Sequence, residues 1–271
     1  MSTSPDIDAI KVRMKAMWMA GDYDVAAQPF EQGASEIFES WKIPPASRML
    51  DVACGTGHIA IPAARSGIKV VGIDLAPNLL EQARAHAAKE GLAIQFDEGD
   101  AEQLPYQDAS FDTVVSMLGA MYALRPERAA QELVRVCRPG GRIIMVNWTP
   151  TGCMGEMVKL HQQFMPPSGL PSALLWGDEA TVRERLRDGV AELHMVRRIY
   201  PSLKYPLGVS EFVELLREHL GPTKMLFAVL DIEKQTAFRR GLEQLFTAYN
   251  RASDGTTLLE AEYLEVTAIR G

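Results

Sequence analysis

The sequence predicts an α/β fold on a mostly parallel sheet, and three observations carry that prediction. Between residues 48 and 147, short apolar runs alternate with amphipathic stretches, the pattern of strands joined by crossover helices. Residues 49–58 read Met-Leu-Asp-Val-Ala-Cys-Gly-Thr-Gly-His, a strand ending in a turn of small residues. Seventeen residues after Gly57 a lone acid, Asp74, closes the run Val-Val-Gly-Ile-Asp. A turn of Ala53, Gly55 and Gly57 admits a ligand close to the backbone, where larger side chains would block it. An acid at the end of the second strand suits the two hydroxyls of a ribose. Together they predict a site for an adenosine-containing molecule.

The elements follow in order. Residues 6–20 predict a helix with Ile7, Ile10, Met14, Met17 and Trp18 along one face. Gly21-Asp22 breaks it, and 31–41 forms a second helix that stops near Ile43-Pro44-Pro45. Strands are expected near 48–53, 69–73, 93–98, 111–117 and 141–148, with helices between them. The stretch 149–175, rich in Pro, Gly and Met, reads as a loop with a short helix. Asp178–Asp188 reads as a helix, 191–205 as a strand, 209–250 as two or three helices and Tyr263–Arg270 as a closing strand. The expected organisation is a single structural domain in three parts. Residues 1–45 supply helices that cover the site, 46–150 form the nucleotide-binding core, and 151–271 complete the sheet and add a helical lid.

Composition narrows the function. A net charge of −7 argues against a nucleic-acid footprint, which would show basic stripes, and Arg197-Arg198 reads as a solvated strand edge. Cys54, Cys137 and Cys153 are too few and too dispersed for a disulfide framework or a zinc site, so a reducing cytoplasm is expected. No apolar run reaches about 18 residues, and Asp6 and Asp8 do not fit a signal peptide, so no stable membrane insertion is expected.

The glycine turn alone leaves the ligand open. Gly55, Gly57 and Ala60 satisfy the looser dinucleotide pattern G-x-G-x-x-A, while the phosphate-binding G-K-[ST] pattern is absent. Asp51 heads the turn, and a carboxylate there repels a pyrophosphate but suits a cationic ligand. That charge argument favours the ammonium and sulfonium of S-adenosylmethionine over a nicotinamide cofactor.

Further segments follow in register: Gly99 leading into Asp100-Ala101-Glu102-Gln103-Leu104-Pro105, then Phe111-Asp112-Thr113-Val114-Val115-Ser116, then Glu132 to Arg142 with its Arg-Pro-Gly-Gly turn. With 49–58, they cover roughly residues 45–150 and resemble the class I S-adenosylmethionine-dependent methyltransferases, in the ubiquinone/menaquinone-type branch. Ala53 stands where that family's first motif carries its first glycine. The resemblance implies a Rossmann-like, mostly parallel seven-stranded sheet with helices on both faces, and here an added helical lid. It implies S-adenosyl-L-methionine as cofactor, S-adenosyl-L-homocysteine as product and no metal. Asp51, Ala53, Gly55 and Gly57 would hold the methionine end, with Asp51 near its amino group. Asp74 would accept the ribose hydroxyls and Leu75 would press on the adenine. Asp100, Ala101 and Glu102 would border the exocyclic amine, and Met117 would line the methyl end.

Catalytic groups are less marked, because displacement from a sulfonium needs mainly alignment. Tyr23, Tyr122 and His161 are weak candidates, with Trp148 as a further lining residue. Ser116-Met117-Leu118-Gly119 replaces the Pro-Pro-aromatic run of enzymes that methylate exocyclic amines. Met14, Met17, Met19, Met117, Met121, Met154, Met157 and Met165 fall in regions assigned to pocket or lid, and thioethers adapt to irregular apolar ligands. The sequence therefore predicts methyl transfer to oxygen or carbon of a small, apolar or aromatic molecule by a monomer or homodimer. Three alternatives stand beside it: a methyltransferase acting on tRNA or protein, a non-catalytic S-adenosylmethionine-binding protein, and a nicotinamide enzyme.

Overall fold

The computed structural model describes residues 5–165, 169–201 and 203–271. The chain opens with three helices, α1 (Ile7–Met19), α2 (Tyr23–Ala26) and α3 (Phe30–Ser40). Asp6 caps α1 by accepting the Ala9 N–H at 3.1 Å. There follow β1 (Arg48–Val52), α4 (Ala60–Arg65), β2 (Lys69–Asp74), α5 (Pro77–Lys89), β3 (Gln95–Glu98), β4 (Phe111–Met117), α6 (Pro126–Val136) and β5 (Cys137–Trp148). Beyond them lie α7 (Cys153–Gln163), α8 (Glu179–Arg185), β6 (Val190–Ile199), β7 (Leu203–Tyr205), α9 (Val209–His219), α10 (Gly221–Val229), α11 (Ile232–Tyr249), β8 (Thr257–Leu259) and β9 (Glu262–Arg270).

Seven strands form one sheet in the order β3-β2-β1-β4-β5-β9-β6. The first five run parallel, and β9 and β6 add an antiparallel edge. Helices cover the parallel strands on both faces, so these read as near-continuous apolar runs: Met49–Val52, Val70–Ile73 and Ile143–Val146 are buried throughout. The order reverses between β1 and β4. The carboxyl ends of these two strands therefore diverge into the crevice where such sheets take ligands.

Two expectations need correction. The strand read over 191–205 is two strands, because Pro201 has no N–H for the ladder. Tyr200 turns inward there, buries its ring against Phe30 and Trp148, and donates its hydroxyl to the Phe30 carbonyl at 2.7 Å. The chain then leaves the main sheet, and β7 pairs with β8 in a two-stranded ribbon that the sequence reading lacked. The stretch 149–175, expected as a loop with a short helix, holds one α-helix, the eleven-residue α7, and adds the start of a 3₁₀ turn, Ala173–Gly177. Its residues 166–168 lie outside the described residues. Between 209 and 250 the chain forms three helices, and with the β7–β8 ribbon they occupy the span between β6 and β9.

The crevice depends on one close approach. A β-carbon built at Gly119, just past β4, would lie 2.6 Å from both the β-carbon and the carbonyl oxygen of Ala53. Ala53 itself sits at φ +55°, so its backbone has little room to yield. Gly119→Ala should therefore destabilise the fold by about 2–4 kcal/mol in denaturant titration. An unchanged midpoint would show that the contact is slack.

Candidate active site

The turn after β1 takes left-handed backbone at Ala53 (φ +55°), Gly55 (φ +53°) and Gly57 (φ +92°). Glycine holds two of these at little cost, while Ala53 bears the strain of a β-carbon. A β-carbon at Gly55 would meet nothing within 4 Å, so the turn presents open backbone there. Asp74 shapes it from the end of β2: its Oδ2 accepts the Gly55 N–H at 2.8 Å, and its Oδ1 accepts the Ala76 N–H at 2.9 Å. Each oxygen has a second lone pair and can still accept a ligand hydroxyl.

Asp51 lies beside it, only 2% exposed, and its Oδ2 has no hydrogen-bond partner. Burial, reinforced by the nearby Asp74 charge, pushes the Asp51 carboxyl up to about 8. Burial also raises Asp74, against the opposing pull of the Ala76, Gly55 and Leu75 amides. Two buried acids without a cation between them repel each other, and a positively charged ligand would relieve both. This orphaned carboxylate, the open turn and the paired acids fit the ammonium, the sulfonium and the ribose of S-adenosylmethionine.

The turn after β3 is built from ions. Glu102 is 4% exposed, and its carboxylate accepts the Arg125 N–H at 2.9 Å and the Arg125 Nε–H at 2.6 Å. Lys11 of α1 reaches the same carboxylate at 2.6 Å and also pairs with Asp100. Burial alone would raise the Glu102 carboxyl, but Lys11 and Arg125 outweigh it and hold it below the usual range. Asp100 Oδ1 accepts the Glu102 N–H at 2.9 Å, which shapes the turn. Sequence reading named both acids and missed Lys11 and Arg125. An isolated cation on an amphipathic helix gives no signal of its long-range partner.

Three rings close the edge beyond the glycine turn. Trp18 of α1 meets Tyr122 edge-on at 5.0 Å between centroids and Tyr23 at 6.2 Å. Tyr122 lies in a 3₁₀ turn, Ala120–Tyr122, just past β4 and Met117. Burial pushes its hydroxyl up to about 12, and burial, Tyr122 and Asp74 raise that of Tyr23 further still. The Tyr23 hydroxyl is buried without a hydrogen-bond partner. Ala53, Gly55, Leu75, Asp100, Ala101 and Met117 are all half-buried, so a ligand along this edge can reach them.

The structure does not bring the other candidates to this edge. His161 on α7 faces its Nδ1 to the Met157 carbonyl at 2.7 Å and its Nε2 to the Thr223 hydroxyl at 2.9 Å, against the ring of Phe238. Burial lowers its pKa, so it stays neutral with both nitrogens engaged in the helical layer. Trp148 packs into the ring cluster of Phe30 and Tyr200. No group of three or more His, Cys, Asp or Glu suited to a metal occurs among the described residues.

The weakened acidity of Asp51 makes stability depend on pH. A carboxyl protonated in the fold up to about pH 8, but ionised above about pH 4 when unfolded, loses stability as pH rises between those values. Asp51→Asn should therefore raise Tm, with a gain in stability that grows from pH 5 to pH 8 and reaches roughly 2 kcal/mol or more. A Tm difference that stays flat with pH would sink this account of Asp51.

Comparison with known proteins bears on what the site serves. Residues 50–145 match the family described as a methyltransferase domain. An uncharacterised protein of Mycobacterium tuberculosis is 37% identical over 257 residues, 94% of this chain and 93% of that one. A demethylmenaquinone methyltransferase of Deinococcus radiodurans is 39% identical over 124 residues, 44% of this chain and 52% of that one. Among solved structures, the YcgJ protein of Bacillus subtilis shares the fold, with a TM-score of 0.56 at 20% identity over 88% of this chain and 98% of that one. The chain belongs to the class I S-adenosylmethionine-dependent methyltransferases, in the branch that holds the ubiquinone/menaquinone type.

Proposed function

We propose that the chain methylates oxygen or carbon of a small, apolar or aromatic molecule whose own acidity supplies the nucleophile. The observation that carries this reading is the edge beyond the glycine turn, lined by Trp18, Tyr23, Tyr122 and Met117 with no free base among them. S-adenosylmethionine, when bound, supplies a methyl group on a cationic sulfur that is already a good leaving group. The backbone of Ala53–Gly57 would hold its amino acid end, with Asp51 against the ammonium. Asp74 would accept the ribose hydroxyls while keeping the Gly55 and Ala76 amides. Leu75 would border the adenine face, and Asp100 and Ala101 its exocyclic amine. Glu102, already held by Arg125 and Lys11, would act there by fixing the turn.

The protein's part in the transfer is alignment and exclusion of water. Well-oriented reactants reach effective molarities of about 10⁵–10⁸ M, so an in-line approach needs no protein base once the acceptor is ionised. Tyr23 and Tyr122 keep their protons at neutral pH and can orient an acceptor oxygen by donating to it. His161 is neutral and fully engaged, which leaves it no proton-transfer role. A phenol, quinol or enol meets these conditions. The overall charge of −7 favours such an acceptor over a polyanion such as tRNA.

Two measurements test this reading. Release of S-adenosylhomocysteine should be seen with a panel of phenols and quinols, at a rate that rises with pH through each acceptor's own pKa. Turnover confined to tRNA or protein would overturn the acceptor class. Asp74→Asn keeps an oxygen for the Gly55 amide but loses the charge, and should weaken S-adenosylhomocysteine by at least about tenfold in calorimetry. Unchanged affinity would remove the ribose assignment.

A further inference from the structure

The N-terminal segment Ile7–Ala26 crosses the edge as a strap, held by the Trp18 ring against Tyr122 and by a set of polar ties. No residue of α1 is fully buried. Lys15 pairs with Glu98 at the end of β3, and Lys11 pairs with Asp100 and Glu102 in the following turn. The Met19 carbonyl accepts from Asn78 at 3.2 Å, at the start of α5. Asp24 of α2 meets the His86 Nε2 at 3.2 Å, while His86 Nδ1 faces the Thr56 carbonyl in the glycine turn at 3.2 Å. The strap is thus tied at both ends of the expected cofactor, to the segments that would hold it.

Lys11 is the most enclosed of these ties, with its side chain 15% exposed. It bridges two acids whose other contacts are settled: Glu102 is held by Arg125, and Asp100 Oδ1 is taken by the Glu102 amide. The oxygen left to Lys11 on Asp100 is Oδ2. An exocyclic amine of adenine would donate to that same oxygen, either sharing it with the Lys11 ammonium or displacing it.

We propose that Lys11 and the adenine amine are alternative donors at Asp100, so that their exchange couples cofactor entry to release of the N-terminal strap. The inference rests on the cofactor placement given under Proposed function. Before exchange, the ammonium neutralises Asp100 and Glu102 together and holds α1 down. During exchange, Lys11 gives up Asp100 and keeps Glu102, and the strap loses one of its ties. Because α1 has no fully buried side chain, its polar ties act with the half-buried Trp18–Tyr122 contact in setting how often it opens.

Stopped-flow association of S-adenosylhomocysteine, followed by the fluorescence of Trp18 and the other tryptophans, tests this directly. Lys11→Met should associate about fivefold faster than the unaltered chain, the factor expected when a tie of this kind is lost. Lys11→Arg, which keeps the cation, should stay near the original rate. The ligand carries no net charge, so salt has little steering to screen. Added salt should therefore accelerate association to the unaltered chain more than to Lys11→Met, which keeps the Lys15–Glu98 and Asp24–His86 pairs. If Lys11→Met fails to fold, Lys11→Gln gives the same readout. Equal or slower association by the uncharged variants, with binding intact, overturns the exchange and leaves the cofactor reading standing. If calorimetry shows that the unaltered chain does not bind S-adenosylhomocysteine, the cofactor reading falls, and the exchange falls with it.

Discussion

The hydrogen bond from the Gly55 N–H to Asp74 Oδ2 is the contact on which the rest of the site depends. It ties the turn after β1 to the carboxyl end of β2, which is its neighbour in the sheet. Without it, the left-handed sequence Ala53, Gly55, Gly57 would keep the His86 contact to the Thr56 carbonyl but lose the partner of its Gly55 amide. With it, Ala53 is fixed in a conformation that costs an alanine about 1–2 kcal/mol, and Gly119 can press against it. One carboxylate therefore shapes the cradle and also offers lone pairs to its occupant. A turn acid and a ribose acid are commonly treated as rival interpretations of such a residue. The geometry allows both here, because each Asp74 oxygen holds one amide, of Gly55 or Ala76, and keeps a lone pair for a ligand.

The same arrangement stores electrostatic energy. Asp51 and Asp74 are buried close enough to raise each other's tendency to hold a proton, and Asp51 keeps one oxygen without a partner. A fold selected for stability alone would place an amide or an apolar side chain at position 51. Retaining a carboxylate there makes sense if the balancing charge arrives with a ligand. A nicotinamide dinucleotide would bring a pyrophosphate to this position and worsen the repulsion. The buried pair thus argues for a cationic adenosyl ligand on physical grounds, independently of the family to which the chain belongs.

The parts of the fold governed by local chemistry were legible in the sequence. Strands covered on both faces announce themselves as apolar runs, and the turn of Ala53, Gly55 and Gly57 as small residues. The carboxyl-edge residues follow from these, because a parallel sheet places each strand end beside the next. What local chemistry could not show was pairing over distance. Lys11 finds Asp100 and Glu102 across some ninety residues. His161 is a plausible base in sequence but finds Thr223 in another helix. The division of 191–205 turned on Pro201 and on Tyr200 finding a buried partner in Phe30. The β7–β8 ribbon joins segments some fifty residues apart, which no periodicity could reveal.

The contrast between the two coverings of the edge follows from what each must do. Around α7, α9 and α11, Phe212, Phe238, Leu242 and Phe246 are fully buried, so that layer is core and moves only at the cost of exposing it. The strap has no such anchor in α1. It is held by charges and a backbone carbonyl that water can satisfy once they part, and by the half-buried Trp18 ring against Tyr122. At its far end, Tyr205 donates to the Ala26 carbonyl at 3.2 Å and Tyr200 to that of Phe30 at 2.7 Å, both from buried side chains. The strap therefore has a fixed end near residues 26–30 and a weakly held end at α1, over the turn that would take the adenine. Opening would then part ion pairs and the Trp18–Tyr122 contact without unpacking a fully buried core. On the proposed placement of the cofactor, the weakly held element would lie where the adenosyl end enters, and the helical layer over the rest of the edge would stay in place.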